Sequence, residues 1–184
     1  FELTEKQKSI IAEVAPSIKD GEFHTYLLHG VTGSGKTQIY IELIKIALAL
    51  NKTALILVPE ISLTPQITSR LYNNFGDTIT VIHSRMSIGE RYDSWRRILK
   101  NKSKVVVGAR SALFAPLSKI GWIVVDEEHD SSYKQSDSIP KYNARDSAIV
   151  LGMLKGCPVL LGSATPSIES MYNAVSDKYK LLTL

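Results

Sequence analysis

The sequence predicts an α/β domain built on a predominantly parallel β-sheet with helices on both faces. Three observations predict it. Short apolar segments alternate with amphipathic ones from end to end. The apolar segments are near-continuous runs of Leu, Ile and Val rather than alternating patterns, which marks strands buried on both faces. Polar, Gly-rich clusters follow those runs, where ligand loops sit in open parallel sheets.

Taken in order, Tyr26 to His29 reads as the first strand and Lys36 to Leu50 as the helix after it. Ala54 to Val58, Ile79 to Ile82, Lys104 to Val107, Trp122 to Val125 and Val159 to Leu161 read as further strands. Helical spacing is expected over Pro65–Phe75, Ile88–Lys100, Asn143–Lys155 and Ser167–Val175. Thr4 reads as a helix cap near the start. Loops after Leu28, Val58, Val107, Val125 and Leu161 should converge on one edge of the sheet and build a site there.

The chain has 184 residues, 44% of them hydrophobic, which suits a single domain, 1–184, with a substantial core. A net charge of +4 fits a polyanionic partner but decides little by itself. Cys157 is the sole cysteine, so neither an internal disulfide nor a multi-cysteine zinc site is possible, as expected for a cytoplasmic protein. The strongest apolar stretch, Ile39 to Leu50, is broken by Glu42 and Lys45, so no membrane span is expected. The start at Phe1 reads as a piece of something longer.

The first of those loops, Gly30-Val31-Thr32-Gly33-Ser34-Gly35-Lys36-Thr37, matches the P-loop pattern in full. A triphosphate needs several donors converging without side chains in the way. Glycines let the backbone N–H groups of Gly30, Gly33, Ser34 and Gly35 face the phosphates, and the following helix presents its positive end. Lys36 is expected on the β- and γ-phosphates, and the Thr37 hydroxyl on Mg²⁺. Nucleotide binding, with ATP and Mg²⁺, follows.

Trp122 to Val125 runs straight into Asp126-Glu127-Glu128-His129. Asp126 is placed to join Thr37 at the metal, and Glu127 to act as general base toward water. That second carboxylate argues for hydrolysis rather than phosphate transfer to a substrate. A phosphotransferase would need a lid-like, Arg-rich insert, and none is seen.

Asp126-Glu127-Glu128-His129 with Ser163-Ala164-Thr165 downstream resembles the superfamily 2 helicases. Val58 to Gln66, Val107 to Pro116, Asp126 to Gln135 and Gly162 to Ser167 resemble, more specifically, the primosomal replication-restart helicases within it. The resemblance implies a RecA-like P-loop NTPase lobe of a 3′-to-5′ DNA helicase. It also implies partners: single-stranded and forked DNA, a second RecA-like lobe, and primosome and single-strand-binding proteins reached through the full-length protein. Zinc is implied only in a cysteine-rich module outside this chain.

Site roles follow from the same resemblance. Gln7, upstream of the P-loop, is expected to read adenine; the plain alternative is an exposed helical Gln. Thr64, at a helix start, and Arg110 with Ser111, at a strand tip, are expected on DNA phosphates. His129, Ser163 and Thr165 are expected to couple hydrolysis to DNA binding. Aromatic and basic residues interleave in Tyr133, Lys134, Tyr142 and Arg145, a mixture suited to stacking on bases and neutralising phosphates. The competing function is an ATP-gated DNA- or partner-binding module with incidental hydrolysis.

Overall fold

A computed structural model describes residues 2–63, 65–136 and 139–184, with Pro65 and Gln66 described in backbone only. The chain opens with α1 (Glu5–Asp20), capped by Thr4 and ended by Gly21 in the left-handed conformation. Then come β1 (Thr25–His29), α2 (Lys36–Ala49), β2 (Thr53–Leu57), α3 (Pro65–Phe75), β3 (Ile79–Ile82), α4 (Ile88–Leu99) and β4 (Val105–Gly108). The second half holds β5 (Ile120–Asp126), a hairpin of β6 (Lys134–Gln135) and β7 (Tyr142–Asn143), α5 (Ala144–Lys155), β8 (Val159–Ser163), α6 (Ile168–Val175) and β9 (Lys180–Thr183).

Among the described residues seven strands form one sheet in the order β3-β4-β2-β5-β8-β1-β9, every pair parallel. Side chains alternate across each strand, so a strand covered on both sides must be apolar at every position. In β1, Tyr26 and Leu28 face α1, α2 and α3, whereas Leu27 faces the side covered by α4, α5 and α6. This is why the strands read as unbroken hydrophobic runs.

The expected strands and helices are present, with ends shifted by a residue or so. Two features escaped the periodicity. β9 lies at the sheet edge beside β1, and only its Leu182 is buried, so it lacks the apolar run of its neighbours. The β6–β7 hairpin, two residues a side, lies in the segment expected to be a loop.

Cys157 is buried, and burial pushes its thiol up to about 12, so it stays protonated and unreactive near neutral pH. Among the described residues no helix is long and apolar enough to cross a membrane.

Candidate nucleotide site and its neighbours

The P-loop leaves β1 at Gly30, whose N–H still donates to Ser163 O on β8 (3.1 Å). It then curls through Gly33 (φ +80°) and Gly35 (φ +95°), left-handed conformations that only glycine adopts at little cost. At Gly35 a second reason applies, because a Cβ would overlap the side-chain amide of Gln7. Lys36, the first residue of α2, is buried, and its Nζ donates to Gly30 O at 2.8 Å. The ammonium therefore reaches back across the loop.

α2 begins with no side-chain cap, leaving its first N–H groups to the loop's concavity. Ser34 Oγ is buried with no hydrogen-bond partner among the described residues. Thr37 follows, half-buried. An orphaned hydroxyl, an uncapped helix start and a buried ammonium together fit a phosphate group.

Gln7 is buried against this loop rather than exposed. Its Oε1 accepts from Thr4 N (3.0 Å), completing a capping box, and its Nε2 donates to Gly35 O at 3.5 Å. Both ends of the amide thus have partners within the domain.

β8 lies between β1 and β5, and Asp126 at the tip of β5 stands beside Gly162. The P-loop and the acidic tip are therefore separated by one strand. Burial raises the Asp126 pKa above the usual carboxylate range; a hydrogen bond from Tyr40, the Lys36 charge and the Glu127 N–H work against it. Lys36 opens the helix whose Tyr40, one turn on, is bonded to Asp126, so the loop lysine and the acidic tip are neighbours through α2. Tyr40 Oη, on α2, donates to Asp126 Oδ1 at 2.8 Å.

The three carboxylates fan apart. Glu127 takes φ +47°, a left-handed conformation costing a non-glycine residue on the order of 1 kcal/mol. Its carboxylate lies 3.7 Å from His129 Nδ1. Glu128 turns to the opposite face and is buried. There it accepts from Ser167 N (2.7 Å), Ser167 Oγ (3.1 Å), Ser170 Oγ (2.8 Å) and Arg145 NH1 (3.1 Å). An anion at the start of α6 also suits the helix dipole. Glu128 is thus a structural anchor. Glu128→Ala should destabilise the domain by about 3–5 kcal/mol, because Ser167, Ser170 and Arg145 all lose the buried acceptor they share. A urea-unfolding midpoint equal to that of the unchanged protein would refute this.

His129, Ser163 and Thr165 form one hydrogen-bonded cluster. His129 Nδ1 meets Ser163 Oγ at 2.8 Å, Thr165 N donates to the same hydroxyl at 2.9 Å, and Thr165 Oγ1 lies 3.4 Å from His129 Nε2.

The residues expected on DNA do not all stay together. Thr64 lies outside the described residues. Arg110, in a short turn after β4, donates to the carbonyls of Ser132 (3.3 Å) and Lys134 (3.2 Å), bracing the chain before the hairpin. Ser111 and Lys134 are exposed. Tyr142 is half-buried and packs edge-to-face on Phe114, with ring centroids 5.3 Å apart.

Two expectations need correcting. Tyr133 is in the core, 1% exposed, with its hydroxyl donating to Asp126 O at 2.6 Å, so its ring is not free to stack on a base. Arg145 is turned inward, its guanidinium held by Glu128, Ser167 and Asp146, and so is not available to phosphates. A polar, basic and aromatic composition reads the same whether such side chains point out or in. Sequence reasoning also missed Tyr40, although its place four residues after Lys36, one helical turn on, was a usable signal.

Residues 1–168 match the protein family described as the type III restriction enzyme, res subunit. The chain is 48% identical over 182 residues to the replication restart protein PriA of Bacillus subtilis (strain 168), covering 99% of this chain and 22% of that protein. It is 45% identical over 183 residues to PriA of Chlamydia pneumoniae, covering 100% of this chain and 24% of that one. The chain thus spans less than a quarter of the length of either relative.

Among solved structures, RecG bound to a three-way DNA junction superposes with a TM-score of 0.71 at 20% identity, covering 100% of this chain and 24% of that one. The Hef helicase domain of Pyrococcus furiosus gives 0.62 at 20% identity, covering 97% of this chain and 36% of that one. At such identities the likeness is one of fold, and that fold is the RecA-like arrangement expected. The match over nearly all the chain places it in a family: this protein belongs to the one described as the type III restriction enzyme, res subunit.

Proposed function

We propose that this chain is the ATP-binding motor lobe of a 3′-to-5′ DNA helicase of the PriA kind, acting in primosome assembly and in restart of stalled replication forks. The observation that carries the reading is the placement of the P-loop and the acidic tip of β5 on either side of β8, tied together by the bond from Tyr40 of the P-loop helix to Asp126. The PriA relatives at 45% to 48% identity supply the kind of motor.

In this reading the loop from Gly30 to Gly35 cradles the phosphates, Gly33 and Gly35 through backbone N–H groups and Ser34 through its buried hydroxyl, while the Gly30 N–H stays on Ser163 O. Lys36 exchanges its bond to Gly30 O for the β- and γ-phosphate oxygens. Thr37 and Asp126 would hold Mg²⁺, which when bound would supply positive charge beside the phosphates. Glu127 orients and deprotonates the attacking water. Gln7 stands next to the loop, and reading adenine would require its amide to leave the Thr4 and Gly35 partners. On the DNA side, Arg110, Ser111, Lys134 and Tyr142 line the candidate face, with Thr64 assigned there from the family resemblance. His129, Ser163 and Thr165 connect the two sides. Partners are single-stranded and forked DNA, a second RecA-like lobe, and primosome and single-strand-binding proteins through the whole polypeptide.

The test compares ATP hydrolysis by the isolated lobe and by the full-length protein, with no DNA, single-stranded DNA and forked DNA. The full-length protein should be DNA-stimulated. The lobe alone should be slower by about 10³–10⁵-fold, the contribution of an arginine delivered from outside such a site. Equal DNA-stimulated rates would overturn the assignment of this chain as half of a motor.

A further inference from the structure

Tyr40 belongs to no motif that the proposed function uses, yet it touches the centre of the site. Its ring is buried, 3% exposed, on the inner face of α2. Its hydroxyl donates to Asp126 Oδ1 at 2.8 Å. Lys36 opens the helix that carries Tyr40 one turn later. A single helical turn and one hydrogen bond therefore join the phosphate-loop lysine to the acidic tip of β5.

The neighbouring strand is cut to fit this bond. Gly162 lies on β8 beside Asp126, and a Cβ there would overlap Tyr40 Oη and stand 3.2 Å from Asp126 Oδ1. The φ of Gly162 is not in the left-handed range, so backbone freedom is not what requires glycine here. Space for the tyrosine hydroxyl is. Gly162 also directly precedes Ser163, which holds His129.

We propose that Tyr40 is a positioning residue for the metal site: its hydroxyl fixes the orientation of the Asp126 carboxylate, and Gly162 is glycine so that it can. This rests on the reading of Asp126 as a magnesium ligand. The plain alternative is a core tyrosine that has found an acceptor, as buried tyrosines generally do. The two differ in what removal of the hydroxyl changes. A core role moves stability alone, whereas a positioning role moves the demand for metal.

Tyr40→Phe in the full-length protein keeps the ring and removes the bond. The measurement is equilibrium binding of a fluorescent ATP analogue across a magnesium titration and in EDTA. The Mg²⁺ concentration for half-maximal binding should rise about tenfold, the scale of one lost hydrogen bond to a charged group, while affinity in EDTA is unchanged. An unchanged magnesium requirement overturns the proposal, whatever happens to the melting temperature.

Gly162→Ala supplies a second reading. Its stability cost should be smaller in a protein already carrying Tyr40→Phe than in the unchanged one, and equal costs would overturn the role given to the glycine. Lys36→Ala, run beside them, separates the two levels. If it leaves nucleotide affinity intact, the nucleotide site itself is misassigned. If it removes binding while Tyr40→Phe leaves the magnesium requirement unmoved, only the Tyr40 proposal falls.

Discussion

Lys36→Ala in the full-length protein is expected to reduce DNA-stimulated ATP hydrolysis by at least about 10²–10³-fold, the scale on which one preorganised donor at the reacting charge contributes. The side chain is buried and already spans the loop to Gly30 O, so its charge is held where phosphate oxygens would sit. It also opposes the burial that raises the Asp126 pKa. Alanine removes both effects at once and leaves the backbone curl through Gly33 and Gly35 in place. Lys36→Arg should not restore activity, because a planar fork cannot follow the path of a point charge on a flexible stem. Steady-state hydrolysis with saturating single-stranded DNA is the measurement. Ordinary turnover in the alanine variant would remove the nucleotide-site assignment altogether.

Glu127→Gln should separate holding ATP from cleaving it. Glutamine keeps the size of the side chain and cannot take a proton, so hydrolysis should fall by about 10²–10⁴-fold, the usual worth of a positioned general base. Nucleotide binding should persist, since Lys36 and the loop amides are untouched. The left-handed backbone at Glu127 separates this carboxylate from both neighbours, one bound to Tyr40 and the other to the start of α6. Single-turnover hydrolysis and nucleotide binding, measured on one preparation, give the two numbers. If unwinding and fork loading continue unchanged, the chain is a nucleotide-gated binding module instead.

What the sequence made legible follows a physical rule. Strands buried on both faces leave no choice of side chain, so β1, β2, β4, β5 and β8 stand out as apolar runs. β9 is half in water and has no such signature. Lys36, Thr37, Asp126 and Glu127 can be proposed from sequence because phosphate and metal chemistry demands particular groups at fixed distances from a strand end. Glu128, Tyr133 and Arg145 were not legible, because their meaning depends on which way each side chain turns. Glu128 sits one residue beyond a candidate base and faces the other side of the sheet. Tyr133 lies in a polar run and is nevertheless core.

Two backbone bonds described above sit side by side on β8. Gly30 N–H rests on the carbonyl of Ser163, and Glu128 N–H rests on that of Gly162. The two arms of the candidate nucleotide cleft thus rest on adjacent peptide units of a single strand. In the proposed motor, a displacement of that strand's tip would reach both arms together through neighbouring carbonyls, with no separate timing part.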